Sequence, residues 1–127
     1  MTKYEAALQE FRDALSRFEE VLRQEKTDIV RDSAIKRFEL VFDLSWKVIK
    51  AWLEEHGANC VSPLGCFREA YRQGLIEYEN LWIDLVKVRN KTAHTYSLKL
   101  AEEVYAKLPD ALGVFTKLVV ALAEQKI

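Results

Sequence analysis

The sequence predicts an all-α fold, an up-and-down antiparallel helical bundle of four main helices plus one short helix, in a single domain spanning residues 1–127. Three observations predict it. Apolar residues recur at alternating spacings of three and four over long stretches, the period of one helix face. Recognisable start and stop residues bracket those stretches. Gly and Pro together number only six, and no segment shows a credible strand pattern. The composition, 50% hydrophobic and 31% charged over 127 residues, suits one core and is too small for two domains.

The first helix carries Tyr4, Leu8, Phe11, Leu15, Phe18 and Leu22 on one stripe. Thr2 and Glu5 have the spacing of a capping box. After the polar connection Gln24-Glu25-Lys26-Thr27, a long second helix runs from about Asp28 to His56, with Gly57 as its stop and His56 as a C-terminal capping residue. One of its stripes is Ile35, Phe38, Phe42, Ile49 and Leu53. A second is Val41, Leu44, Val48 and Trp52, with Trp46 between them. A helix apolar on more than one side packs against several neighbours, so this one is expected at the centre of the bundle and also facing a second subunit. Ser62-Pro63, an N-cap followed by Pro at the first helical position, starts a short helix that Gly74 closes, with Phe67, Ala70 and Tyr71 facing inward. The next helix begins near Tyr78 or Glu79 and carries Leu81, Trp82, Leu85 and Val88. The last begins near Ser97 or Leu98 on the stripe Leu100, Val104, Leu108, Ala111, Phe115, Leu118 and Leu122. Pro109 interrupts it, and the stripe continuing in phase favours a kink over a split.

The formal net charge of −1 excludes a protein that coats nucleic acid over its whole surface. No apolar run approaches the roughly 20 residues that cross a bilayer. The N-terminus lacks a signal-peptide core, so the cytoplasm is the expected location. Cys60 and Cys66 have no second cysteine pair to complete a tetrahedral metal site, and His56 adds only an irregular third ligand. They read as two free thiols, ahead of a disulfide or a structural zinc site.

Chemistry concentrates in Arg89-Asn90-Lys91-Thr92-Ala93-His94-Thr95-Tyr96. From Val86 to Lys99 the chain has four bases, Lys87, Arg89, Lys91 and Lys99, and no acid, which points to an anionic ligand. Arg89 and His94, five apart, would lie about 140° apart on an unbroken helix. Either the helix ends between them or they converge across a cleft; the mediocre helix propensity of the segment favours an end. On an RNA phosphodiester, histidine can move a proton to or from an oxygen near neutral pH. Arginine can grip phosphate in a two-pronged way. Tyr96 can stack on a base or donate to phosphate, and Asn90 can orient either group. Neither main role needs a metal, and no Asp/Glu cluster lies near the motif in the sequence to hold one. A purely structural reading stands beside this one: Arg89 paired with an acid, His94 a buried imidazole, Tyr96 core filler.

The whole chain resembles the HEPN superfamily, whose signature Arg-x4–6-His reads Arg89 to His94 here and extends to Tyr96 in the Arg-x4-His-x-Tyr form of the HepT-like branch, also called nucleotidyltransferase substrate-binding proteins. The segment Ala34–Lys47, the run Ser62-Pro63 with Phe67–Ala70 and Gly74–Ile76, and Leu81-Trp82 before the motif extend the likeness. The resemblance implies a homodimeric bundle whose motifs share a cleft and whose partner is a minimal nucleotidyltransferase. It further implies a toxin–antitoxin module in which this chain is a metal-independent ribonuclease without a cofactor, acting on RNA. Arg89 and His94 would be the catalytic pair, Asn90 and Lys91 supporting residues, and Tyr96 the target of nucleotide attachment. The alternative implication is a non-catalytic substrate-binding subunit of a two-component transferase. The chain departs from the pattern after Tyr96, where Ser97-Leu98-Lys99-Leu100 replaces an acidic or amide-rich segment, and at Lys91 and Ala93, where bulkier or polar residues are common. These departures bear on substrate choice.

Overall fold

The computed structural model describes residues 1–77 and 79–124. Five α-helices run in order: α1 (Lys3–Leu22), α2 (Asp28–Glu55), α3 (Pro63–Arg72), α4 (Glu79–Lys91) and α5 (Leu98–Glu124), with a three-residue 3-10 turn, Thr92–His94, after α4. Among the described residues there is no strand. Tyr78, one of the two expected starts of α4, lies outside them.

Side chains and glycines end the helices where the sequence places the signals. Thr2, Thr27 and Ser62 each accept a hydrogen bond from the amide three residues on. Gly57 and Gly74 adopt left-handed φ of 77° and 80°. Each lets the following residue reach back: the Ala58 amide donates to the Leu53 carbonyl at 2.8 Å, and the Leu75 amide to that of Ala70 at 2.9 Å. At the end of α2, Nδ1 of His56 donates to the Trp52 carbonyl at 2.8 Å while its ring stacks on that indole, so His56 is a capping residue as expected.

The helix α2 touches each of the other four, which is why it is apolar on more than one side. The core is aromatic at its centre. All six phenylalanines are buried. Phe115 of α5 lies 6.1–6.4 Å, ring centre to ring centre, from Phe11, Phe18 and Phe38, and 5.9 Å from Trp82. Phe42, Phe67 and Trp82 carry the contact from α2 through α3 to α4 at 5.7 and 4.5 Å. Rings at these separations add to simple area burial, and together they fix α4, which leads into the basic octapeptide.

Two expectations need correction. Cys60 and Cys66 are not free thiols: they form a disulfide, because the N-cap turn at Ser62 folds the chain back and brings their Cα atoms to 5.0 Å. Tyr71 of α3 and Leu81 of α4 are exposed, and Cys66 takes an inward place instead. Pro109, as its in-phase stripe requires, does not split α5, which is helical from Leu98 to Glu124. No helix among the described residues is long and apolar enough to cross a membrane.

Candidate functional site

The octapeptide turns a corner. Its regular α-helix stops at Lys91, and the 3-10 turn Thr92–His94 tightens the chain before α5 begins. The helix therefore ends between Arg89 and His94, the one of the two sequence readings that the segment's weak helix propensity favours. The tightening has local causes. The Thr92 hydroxyl donates to the Arg89 carbonyl at 2.6 Å, and the Thr95 hydroxyl to the Thr92 carbonyl at 3.0 Å. These bonds satisfy carbonyls that a helix end leaves open. The Ser97 amide then donates to the His94 carbonyl at 3.1 Å, and the Ser97 carbonyl takes the Ala101 amide at 2.9 Å to open α5.

Arg89 faces inward across α2. Its Nε and Nη2 lie 3.4 and 3.3 Å from the two oxygens of Asp43, a side-on fork on one carboxylate. Its Nη1 donates to the Thr92 hydroxyl at 2.9 Å and lies 3.3 Å from the Glu39 carboxylate. All three guanidinium nitrogens are engaged, and the side chain is 28% exposed. Thus Arg89 does pair with acids, and it brings two carboxylates to a segment whose own sequence has none. The absence of an acidic pair near the motif holds along the chain but not in space. Even so, among the described residues no group of three or more His, Cys, Asp or Glu is placed to hold a metal ion.

His94 and Tyr96 depart from the purely structural alternative. His94 is exposed rather than buried, and Tyr96 is 88% exposed, which no core residue would be. Their rings meet edge to face at 6.2 Å. Asn90 and Lys91 are exposed beside them on the last turn of α4. Leu40 and Leu98, on the neighbouring stretches of α2 and α5, also leave apolar surface open to water. Two grooves of the chain lie elsewhere. One of about 390 Å³ runs between the α3–α4 connection and the second half of α5, and one of about 620 Å³ runs between the start of α1 and the second half of α2.

A further cluster steadies the start of α5. The buried Arg31 of α2 bonds to Glu102 and Asp32 at 3.0 Å, and Lys26 also pairs with Glu102. Hydrogen bonds from Lys26 and then Arg31 hold the Glu102 carboxyl below the usual carboxylate range.

Sequence reasoning named Arg89, Asn90, Lys91, His94 and Tyr96; the structure brings the His94 and Tyr96 rings together, leaves Asn90 and Lys91 exposed on the last turn of α4, and turns Arg89 toward α2. It missed Glu39, Asp43 and Thr92. The available signal was weak: two acids four apart, sharing one face of a helix otherwise rich in apolar residues.

Comparison with known proteins adds to this geometry. Residues 2–124 match the family model "Nucleotidyltransferase substrate binding protein like". A curated relative from Haemophilus influenzae, "Probable ribonuclease HepT", is 37% identical over 94 residues, which are 66% of this chain and 64% of that protein; the match thus spans less than two thirds of the relative's length. A solved structure from Thermus thermophilus superposes with a TM-score of 0.82 at 32% identity, covering 91% of this chain and 99% of that one. A Haemophilus influenzae structure, described as revealing the fold of a substrate binding domain of a nucleotidyltransferase, superposes with a TM-score of 0.70 at 28% identity over 95% of this chain and 97% of that one. The match across nearly the whole chain, with the five-helix bundle and the Arg89-to-Tyr96 corner, means that this protein belongs to the HEPN-like family of nucleotidyltransferase substrate-binding proteins.

Proposed function

We propose that this protein, one HEPN-like domain, is the partner of a minimal nucleotidyltransferase, and that the corner from Arg89 to Tyr96 is where the transferase and its ligand engage it. The observation that carries this reading is the exposure of His94 and Tyr96: a bundle that buries every phenylalanine holds these two rings in water. The family's description and that of the Haemophilus influenzae fold support a substrate-binding subunit. In this reading the Tyr96 phenol is the accepting group. Its oxygen attacks the α-phosphorus of a nucleoside triphosphate, pyrophosphate leaves, the phenolic proton passes to solvent, and a nucleotide ester remains on Tyr96. Incubation with the transferase and nucleoside triphosphate should add a nucleotide-sized increment to the intact mass. Persistence of that increment in Tyr96→Phe, or no complex between the two proteins, would refute the assignment.

A second reading is favoured by the exposed His94 and by the relative named as a ribonuclease. Here the same corner cleaves RNA without a metal, as the toxin half of a toxin–antitoxin pair. His94 takes the proton of a 2′-hydroxyl, the freed oxygen attacks the adjacent phosphorus, and the bond to the 5′-oxygen breaks as that oxygen gains a proton. Arg89, once released from Asp43 or Glu39, supplies positive charge beside the phosphate, with Asn90 and Lys91 supporting. One imidazole serves one proton transfer at a time. A homodimer that covers Leu40 and Leu98 would bring a second His94 toward the first. Both readings place the protein in the cytoplasm. RNA cleavage in EDTA, lost in His94→Ala, supports the ribonuclease; intact RNA after incubation with the unmodified protein would sink it.

A further inference from the structure

We propose that Thr92, Asp43 and Glu39 are positioning residues of this corner: acting through Arg89, they fix the direction in which His94 leaves the end of α4. The inference rests on the reading of the corner as the functional site. It adds Glu39 and Asp43 from α2 and gives a role to Thr92, a position the Arg-x4-His pattern leaves unspecified.

On α2, Glu39 and Asp43 stand one turn apart and present two carboxylates on one face. Arg89 lies across both, forked on Asp43 and within 3.3 Å of Glu39. A guanidinium held this way is planar, charged and unable to rotate without losing several bonds at once. Its remaining nitrogen, Nη1, donates to the Thr92 hydroxyl, and that hydroxyl donates in turn to the Arg89 carbonyl. Thr92 is thus tied to both the side chain and the backbone of Arg89. It is only 6% exposed, so an unpaired hydroxyl there would carry the cost of lost hydration. Thr92 opens the 3-10 turn that His94 closes. The Thr95 hydroxyl and the Ser97 amide secure the same turn from the other side. An unbroken run of polar contacts therefore leads from the middle of α2 to the turn that bears the exposed imidazole.

The local charge separates two roles for the acids. Two carboxylates oppose one guanidinium, so this focus carries a net negative charge beside a site read as taking an anion. If Glu39 and Asp43 served only electrostatics, their removal would strengthen the binding of RNA. If they serve position, their removal lowers turnover even as binding holds or improves. Arg89 also cannot grip phosphate in a two-pronged way without releasing Asp43 or Glu39.

The test uses the full chain and a synthetic single-stranded RNA in EDTA, with thermal unfolding recorded for each variant. Thr92→Val keeps the shape and removes the hydroxyl; Thr92→Ser keeps the hydroxyl. We expect kcat of Thr92→Val to fall about 10- to 100-fold, the scale of an ångström-level misplacement, with KM nearly unchanged and Thr92→Ser restoring turnover. Asp43→Asn should lower kcat without raising KM, and Glu39→Gln should do the same more mildly. Wild-type kcat in Thr92→Val and Asp43→Asn, with His94→Ala inactive, would overturn the proposal, as would a Thr92→Ser variant as slow as Thr92→Val. If the unmodified protein leaves RNA intact, the ribonuclease reading fails by itself and nuclear magnetic resonance decides on position. A slowly exchanging Arg89 Nε proton lost in Asp43→Asn, and His94 ring resonances shifted in Thr92→Val and restored in Thr92→Ser, support it. His94 resonances unchanged in all three variants overturn it.

Discussion

Two regions of the molecule are each organised around one residue that gathers helices, and they do so by different physics. Phe115 collects Phe11, Phe18, Phe38 and Trp82 by ring contact. Arg89 collects Glu39, Asp43 and Thr92 by directed charge and hydrogen bonds. The aromatic region spreads its energy over many weak contacts whose individual angles matter little beside the total burial. The Arg89 corner depends on a few contacts whose angles matter, and none of its partners can stand in for another. Trp82 links the two, because it belongs to the aromatic region and stands about two helical turns before Arg89 on α4. The bundle thus holds the corner in place while leaving His94 and Tyr96 outside the packing.

The largest test of that division is Phe115→Ala. Losing a fully buried ring where α5 meets α1, α2 and α4 should cost about 3–5 kcal/mol, read as a lower midpoint in urea unfolding. On the ribonuclease reading, His94→Ala should instead lower RNA cleavage by roughly 10²- to 10⁴-fold, and on either reading it should leave that midpoint within error, since the imidazole is exposed. A His94→Ala protein that unfolds early would break the comparison. Third in size is the Cys60–Cys66 bond, which closes a short loop between α2 and α3. Cys60→Ser should cost about 2 kcal/mol by loop-closure entropy, and reducing agent should bring the unmodified protein to the same midpoint. The smallest effect is at Glu102. Its carboxyl is held below the usual range in the folded chain, so its contribution is present above the unfolded value of 4.5 and fades as pH falls through the depressed folded one. Glu102→Gln should slightly destabilise the protein at pH 7, and the difference from the unmodified chain should vanish in acid. A constant difference across pH would show that the ion pairs with Lys26 and Arg31 contribute nothing.

Most of the fold was legible because helix signals are local. Thr2, Ser62-Pro63, Gly57 and Gly74 act on amides and carbonyls within a few residues, and each appears where its signal stands. The break between Arg89 and His94 was equally local, a matter of residue spacing and weak helix propensity. The burial of Tyr71 and Leu81 was misjudged because a stripe on a short helix does not say how far its edges reach under a neighbour. The partners of Arg89 were out of reach for a different reason. Asp43 lies 46 residues earlier, and only the packing of α4 against α2 selects it. The disulfide likewise depends on a turn that two cysteines alone do not announce.

Pro109 has a consequence for motion. It carries no amide hydrogen, so the Tyr105 carbonyl lacks its usual donor four residues on, although α5 continues through it. Along the ladder of α5 this is a missing rung between a first stretch, which begins just after the Arg89-to-Tyr96 corner, and a second that bears Phe115. Amide protons report such a gap when the stretches on either side of it open as separate cooperative units. Deuterium should therefore enter the amides from Ala101 to Leu108 sooner than those around Phe115. The helix would thus open as two blocks rather than one, with Pro109 as the boundary between them.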